Sequence, residues 1–356
     1  MPKFDELYNE TRMEIFHRYP LKSFNTFGLE VYAREFAVLE NEEDIAVLVD
    51  RHRVAGYRML LLGGGSNILF SGDYDGFVVK IGLKGKEVID EDEESVVIRG
   101  AAGEDWDDFV GYAVQMGWGG LENLSGIPGT VGSSPIQNIG AYGCEMKDRF
   151  ESLGAVDLCT GEYSEFDPAR CRFGYRDSLF KTALKGRMLI THVDFRLDKK
   201  LVPNLSYEAL KSKLGHIPPE DLTPQHFRNE VLQIRNSKLP DPHLLGNAGS
   251  FFKNPFISVS EFAKLKDLFP GIVSYPVEDK ESHRITGYKL AAGWLIEKCG
   301  WKGYRDGDAG VHKDQALVLV NYGRATGIDI LALSEKIRNS VMEKFGVSLE
   351  REVNII

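Results

Sequence analysis

The sequence predicts an α+β fold divided into more than one domain. Three observations carry this: strand and helix patterns alternate through the N-terminal third, β-rich runs fill residues 153–197, and helices return beyond residue 260. At 356 residues the chain exceeds what one hydrophobic core supports, so two or three packed domains are expected. A composition 43% hydrophobic and 27% charged, with 37 glycines spread through apolar runs, is that of an ordered globular enzyme.

Residues 35–39 read as a strand, and 42–54 as a helix whose apolar side is Ile45, Leu48 and Val49, with Gly56 just beyond. Residues 58–62 form a short apolar strand entering Gly63, Gly64 and Gly65; 77–81 and 96–98 read as further strands. Residues 105–116 make a helix stopped by Gly117, with Trp106, Phe109, Val110, Ala113 and Val114 on its apolar face. After the β-rich runs, residues 201–222 and a polar helical stretch lead to Lys238. The segment LPDPHLLGNAGSFFKNP, with three prolines and two glycines, reads as a domain junction able to carry function. Beyond it, 260–269 and 289–299 read as helices, 316–320 as a buried strand, and 329–345 as an amphipathic helix stopped by Gly346. The closing VSLEREVNII alternates as a strand, with Ser348, Glu350, Glu352 and Asn354 on one face.

A net charge of -10 opposes the phosphate backbone of nucleic acids and anionic membrane surfaces, so neither is an expected partner. An anionic ligand must therefore meet a local basic cluster. The opening MPKFDELYNETRMEIFHRYP lacks the apolar stretch of a signal peptide, and no run is long enough to cross a bilayer, so no membrane insertion is expected. Cys144, Cys159, Cys171 and Cys299 form no C-x-x-C pair; buried or inert thiols in a reducing cytosol, with no metal, are expected.

An apolar strand followed by Gly63-Gly64-Gly65-Ser66-Asn67 lets successive backbone N–H groups converge on an anion such as a pyrophosphate. Taken alone it more often marks a tight strand-to-strand turn. A second stretch, GIPGTVGSSPIQNIGAYG from Gly126 to Gly143, carries no charged side chain. It offers the hydroxyls of Ser133, Ser134 and Tyr142, the amides of Gln137 and Asn138, and open backbone at Gly140 and Ala141, which suits a large, partly apolar, hydrogen-bonding ligand such as a flavin. Two such loops in one α+β unit point to a dinucleotide.

The motifs GGGSNILF, PGTVGSSPIQNIGAYG, CRFGYRDSLFK, NAGSFFKNP and KLAAGWLIE occur in an order that resembles the UDP-N-acetylenolpyruvoylglucosamine reductase family. The resemblance implies an FAD-binding fold of the vanillyl-alcohol-oxidase (PCMH) type in two subdomains, 1–83 and 84–238, plus a third α+β substrate domain, 239–346, with strand 347–356 returning to the second. It also implies the class with an extra substrate-covering loop, through Tyr207 in LSYEAL. Activity is then expected to be NADPH-dependent, FAD-mediated reduction of a UDP-sugar enolpyruvyl ether in cell-wall precursor synthesis, by a cytoplasmic monomer. A flavin oxidase of the same superfamily and a non-catalytic flavin or nucleotide-sugar binding protein are the alternatives.

Such a reduction needs a hydride source, a cation to stabilise an enolate-like intermediate and an acid to protonate it. By resemblance these roles fall to FAD, to Arg176 in GYRDS and to Ser250 in NAGSFF, with Glu352 assisting near the chain end. Arg351 departs from the family's proline beside that glutamate. Tyr175, Tyr207, Arg235, Lys238, Asn254 and Gln315 are the expected substrate contacts, and Gly63–Gly65, Ser66, Asn67, Ser133, Ser134, Gln137, Asn138, Gly140, Ala141 and Tyr142 the expected cofactor contacts.

Overall fold

The structure is a computed structural model that describes residues 13–54, 58–279, 282 and 284–356. Gly56 and residues 1–12 of the N-terminal stretch, on which two sequence expectations rest, lie outside the described residues. The chain forms two compact units, one with residues up to Pro20, Tyr32–Gly65 and Asp73–Ser237, the other with Leu21–Val31, Ser66–Gly72 and Lys238–Ile356.

In the first unit, a four-stranded sheet runs Phe16–Pro20, Tyr32–Leu39, Tyr74–Ile81 and Met59–Leu62 in spatial order. Its last three strands are parallel, and Phe16–Pro20 is antiparallel to its neighbour. The helix Ile45–His52 carries the chain between two of the parallel strands and buries Ile45, Leu48 and Val49. Within the sheet, Tyr74–Ile81 buries Phe77, Val78 and Val79 in succession, the continuous apolar run of a strand covered on both faces.

A five-stranded antiparallel sheet comes next, in the order Tyr163–Phe166, Phe150–Asp157, Met188–Asp198, Ser95–Ala101 and Lys86–Glu91. The helix Trp106–Gln115 covers it. Asp105 starts that helix by accepting the Asp108 N–H at 3.0 Å, and Gly117, at φ +82°, lies just past its end. Trp106, Phe109, Val110, Ala113 and Val114 are all buried, as their spacing predicts. Trp106 meets Phe195 edge-on at 5.6 Å and donates its indole N–H to the Leu124 carbonyl at 2.9 Å. Gly100 makes this fit possible, because a Cβ there would lie 2.7 Å from the Phe109 ring.

The second unit has a four-stranded sheet in the order Gly246–Ser250, Val318–Asn321, Ala309–Val311 and Arg305–Asp306, and a three-stranded sheet of Phe256–Ser258, Ile285–Leu290 and Ser274–Glu278. The helix Gly327–Phe345 opens with a reciprocal Thr326–Asp329 capping box and closes at Gly346, φ +67°. Ile330, Leu333, Ile337, Val341 and Phe345 are buried along it.

Two sequence readings are corrected here. Lys289 and Leu290 end the strand Ile285–Leu290, and the helix begins only at Ala292, since a short apolar run does not by itself separate strand from helix. The three-stranded sheet was not anticipated, its period being interrupted by Pro255, Pro276 and exposed polar residues. The C-terminal stretch, expected to return to residues 84–238, is grouped by its contacts with the second unit. Gly346 reverses the chain so that it lies back along the helix it has just left, with Arg338 Nε donating to the Leu349 carbonyl at 3.0 Å, and Asn354–Ile355 pairs parallel with Ile68–Leu69. Val347, Leu349 and Val353 are buried within this second unit.

Trp106→Phe retains a ring in the core but leaves the Leu124 carbonyl without its donor, a loss of about 1–3 kcal/mol. A lower denaturant midpoint at unchanged slope is the expected result, and an unchanged midpoint would remove this bond from the account of the core.

Candidate active site

The two glycine loops meet backbone to backbone in the first unit. A Cβ on Gly63 would lie 2.8 Å from Thr130 Oγ1, and one on Gly64 would lie 2.7 Å from Gly129 Cα. Gly65 takes φ +67°, so three glycines serve two close approaches and one left-handed turn. Ser66 and Asn67 belong to the second unit, where the Asn67 side-chain amide donates to the Glu352 carbonyl at 3.3 Å.

Of the five polar side chains in 126–143 expected to hold cofactor, three are committed to other groups of the protein. Ser133 donates to the Thr130 carbonyl at 2.8 Å and accepts the Thr130 N–H at 3.0 Å. Ser134 is buried and donates to the Val131 carbonyl at 2.8 Å. Asn138 is fully buried at φ +43°; its amide donates to the Gly174 carbonyl at 2.9 Å and to Glu145 at 3.1 Å, while its oxygen accepts the Lys147 N–H at 3.1 Å. Gln137, Gly140 and Ala141 are half-buried. The loop thus presents backbone more than side chains.

Arg176 is held against this loop. Its guanidinium donates to the Gly140 carbonyl and, at 3.4 Å, to that of Asn138, while Lys181 Nζ donates to the Arg176 carbonyl at 3.0 Å. Its own φ is +53°, and Tyr175 lies beneath the guanidinium at 5.5 Å. Nearby, Tyr142 and Tyr207 meet edge-to-face at 5.1 Å, and Arg235 hydrogen-bonds the Tyr142 hydroxyl. Burial holds Arg235 below the usual arginine range, with Tyr142 and Asp107 opposing. Tyr142 is raised by burial, partly offset by Arg235.

Sequence reasoning missed the residues that fix this group. Asn123, buried, donates to the carbonyls of Tyr142 at 3.0 Å and Asn204 at 3.1 Å, strapping the segment that carries Tyr207 to the glycine loop. Asp107 accepts the Gly126 N–H at 2.6 Å and an Arg228 N–H at 2.8 Å. Lys80 donates to the Gly63 carbonyl at 2.7 Å. Their partners are distant in sequence, so no local pattern marks them.

In the second unit, Gly249 at φ +68° produces a bulge, with its N–H bound by Asn247 at 2.9 Å, and Ser250 comes directly after it. Among the described residues the Ser250 hydroxyl has no hydrogen-bond partner. The next residues pair with the C-terminal stretch, Glu352 N–H donating to the Phe251 carbonyl and Lys253 N–H to that of Glu350, each at 2.9 Å. The backbone therefore brings Ser250, Glu352 and Asn67 together. Glu350 points elsewhere, exposed and paired with Lys253. These two bonds flank the Phe252–Arg351 pair, so the ladder leaves the Arg351 N–H unused. A proline there would break no ladder hydrogen bond. Asn254 accepts the Ala292 N–H at 3.0 Å, and Gln315 lies 3.5 Å from a Cβ built on Gly293, so both sit at the start of the helix Ala292–Lys298. Lys238 ends the helix Pro224–Lys238, exposed.

A separate cleft of about 930 Å³ in the first unit, lined by residues including Val49, Lys86, Arg99, Tyr163 and His192, contains none of these residues. Two of its cations are paired within the protein, Arg99 with Asp194 and Lys86 with Glu104. Burial pushes the Cys144 thiol up to about 12, Cys171 is buried and Cys299 half-buried, while Cys159 is exposed, unlike the expectation of four buried or inert thiols. Among the described residues no group of three His, Cys, Asp or Glu side chains could hold a metal, and no helix is long and apolar enough to cross a membrane.

The family model described as an FAD binding domain matches residues 33–167, which span both glycine loops, so the first unit is that of an FAD-binding α+β protein. The loops fit such a cofactor, since Gly63–Gly65 present backbone without side chains and the half-buried Lys80 donates to the Gly63 carbonyl. A second model, the C-terminal domain of UDP-N-acetylenolpyruvoylglucosamine reductase, matches residues 241–356. Proteins of that name are 50% identical in Paraburkholderia phytofirmans (94% of this chain, 95% of the relative) and 47% identical in Pseudomonas savastanoi (94% and 97%). The solved reductase from Thermus caldophilus shares the fold, with a TM-score of 0.64 at 24% identity over 97% of this chain and 98% of that one. This chain belongs to the UDP-N-acetylenolpyruvoylglucosamine reductase family.

Arg351→Pro is expected to keep the ladder and lose only about 1–2 kcal/mol, from the contacts Arg351 makes with Ser334 and Glu335. The check is a slightly lower thermal midpoint with full flavin content. Loss of flavin or of soluble protein would mean that the ladder needs the Arg351 N–H after all.

Proposed function

We propose that this chain reduces UDP-N-acetylglucosamine enolpyruvate to UDP-N-acetylmuramate, a step of peptidoglycan precursor synthesis, acting as a cytoplasmic monomer without nucleic-acid partners. FAD, once reduced by NADPH, supplies hydride to one alkene carbon. The neighbouring carbon must then gain a proton, and the charge that builds on the substrate carboxylate in between must be stabilised.

Ser250 is the proposed proton donor. The observation that carries this assignment is its uncommitted hydroxyl, set directly after a left-handed glycine at a bulge. Arg176 is proposed to polarise the carboxylate, as a planar and permanently charged group can, and Glu352 to assist it. Tyr175, Tyr207, Arg235, Lys238, Asn254 and Gln315 are proposed substrate contacts. The grouping of Tyr142, Tyr207 and Arg235 supports an anionic ligand there, because among the described residues no carboxylate forms an ion pair with the half-buried Arg235, which retains charge to offer. For the proposed cofactor contacts, the internal bonds of Ser133, Ser134 and Asn138 favour recognition through main-chain groups.

The test separates the two half-reactions under anaerobic conditions. NADPH should bleach the flavin absorbance in wild type and in Ser250→Ala alike. Reoxidation by the enolpyruvyl sugar should slow in the variant by about 100- to 10,000-fold, the range of general acid catalysis. Equal reoxidation rates would remove Ser250 from the role. Rapid oxygen uptake with a simple alcohol, and no turnover of the sugar, would instead support the oxidase alternative.

A further inference from the structure

Lys80 lies beside Leu62 in the parallel pairing of Tyr74–Ile81 with Met59–Leu62, one residue before the glycine loop begins. It is half-buried between the buried Val79 and Ile81, in a strand that also buries Tyr74, Phe77 and Val78. Its ammonium donates to the Gly63 carbonyl at 2.7 Å. Among the described residues no carboxylate forms an ion pair with it. Asp105 attracts it only at longer range, being engaged as the cap of Trp106–Gln115, and Lys84 repels it. Burial also opposes its charge, and its pKa falls accordingly.

A desolvated ammonium without a counter-ion is costly, and methionine would fill the same strand position without that cost. What lysine adds is a fixed donor behind the glycine loop. Across a planar trans peptide, C=O and N–H point in opposite directions, so a carbonyl of Gly63 pinned towards Lys80 turns the Gly64 N–H away from it. The Cβ sides of Gly63 and Gly64 pack against Gly129, Thr130 and Ser133 of the second loop, which holds the peptide between them in place.

We propose that Lys80 is a positioning residue of the phosphate cradle, orienting the Gly64 N–H towards the flavin dinucleotide's pyrophosphate and supplying the positive charge that the pyrophosphate balances. The inference rests on the reading of Gly63–Gly65 as the FAD phosphate loop. It assigns a role to a residue outside both glycine motifs, and it explains how a chain of net charge -10 accommodates a dianion at a loop that has no basic side chain of its own.

The experiment strips the full-length chain of flavin and titrates it with FAD and with riboflavin, which lacks phosphate, following flavin fluorescence. Lys80→Met should weaken FAD binding by about 10- to 100-fold, the range of one charge-assisted contact, and leave riboflavin binding unchanged. The salt dependence of FAD binding should flatten in Lys80→Met, and Lys80→Arg should restore most of the affinity. Equal losses for both flavins would make Lys80 merely structural and overturn the proposal, as would undiminished FAD binding in Lys80→Met. If the methionine variant does not fold, FAD binding by the wild-type chain that is indifferent to salt overturns it equally. Failure of the wild-type chain to bind FAD at all would instead remove the cofactor reading on which the inference stands.

Discussion

Gly63 and Gly64 approach Gly129 and Thr130 so closely that no side chain can stand between them, and the arrangement of the first unit's site depends on that approach. A Cβ on either glycine would sit within 2.8 Å of the opposite loop. Gly132, a few residues further on, is equally confined, its Cβ position lying 2.4 Å from that of Ala102. The second loop is therefore seated from two directions, by the phosphate loop and by the end of a sheet strand. Its course through Asn138 and Tyr142 is then fixed by backbone sterics before any side-chain bond is considered.

Further along the loop the backbone is strained. Of the five non-glycine residues with positive φ among those described, Asn138, Tyr142, Arg172 and Arg176 lie in or beside the proposed site. Such conformations cost of order 1–3 kcal/mol each, so they persist only where the surroundings over-determine them. The restraints are visible: three hydrogen bonds on the Asn138 side chain, Asn123 on the Tyr142 carbonyl, and Lys181 on that of Arg176. Arg176 also caps two carbonyls of the loop it faces, so the cation proposed for catalysis is positioned by the same segment proposed to hold the cofactor. Strain and placement are one arrangement here.

How much of this was legible in the sequence depended on the range of the interaction involved. The helix Trp106–Gln115 was readable because cap, apolar face and terminating glycine all lie within a dozen residues, each reporting on its own neighbours. The glycine loops were readable as a cradle for the same reason. Asn123, Asp107 and Lys80 were not, since their partners are a sheet, a helix or a loop away and a lone polar residue gives no sign of what it will meet. Ser133, Ser134 and Asn138 show the converse error. Residue type declares hydrogen-bonding capacity, which the fold uses on the protein's own groups. Arg351 was questioned on its proline-like position, and the ladder answers through register, because the residue falls at a pair whose N–H carries no bond.

The proposed chemistry places opposing demands on two of these residues. A serine hydroxyl is a weak acid, so Ser250 can protonate only a carbon that remains strongly basic. Arg176, by stabilising the charge that forms before protonation, lowers that basicity. Too strong a cation would leave the intermediate formed but unprotonated, and too weak a one would prevent its formation. The guanidinium of Arg176 is not a bare charge, since it already donates to the carbonyls of Gly140 and Asn138, which reduces what it can give to a carboxylate. On this reading the carbonyls that hold Arg176 in place also temper its strength, and a backbone loop is well suited to both tasks because its dipoles do not titrate near neutral pH.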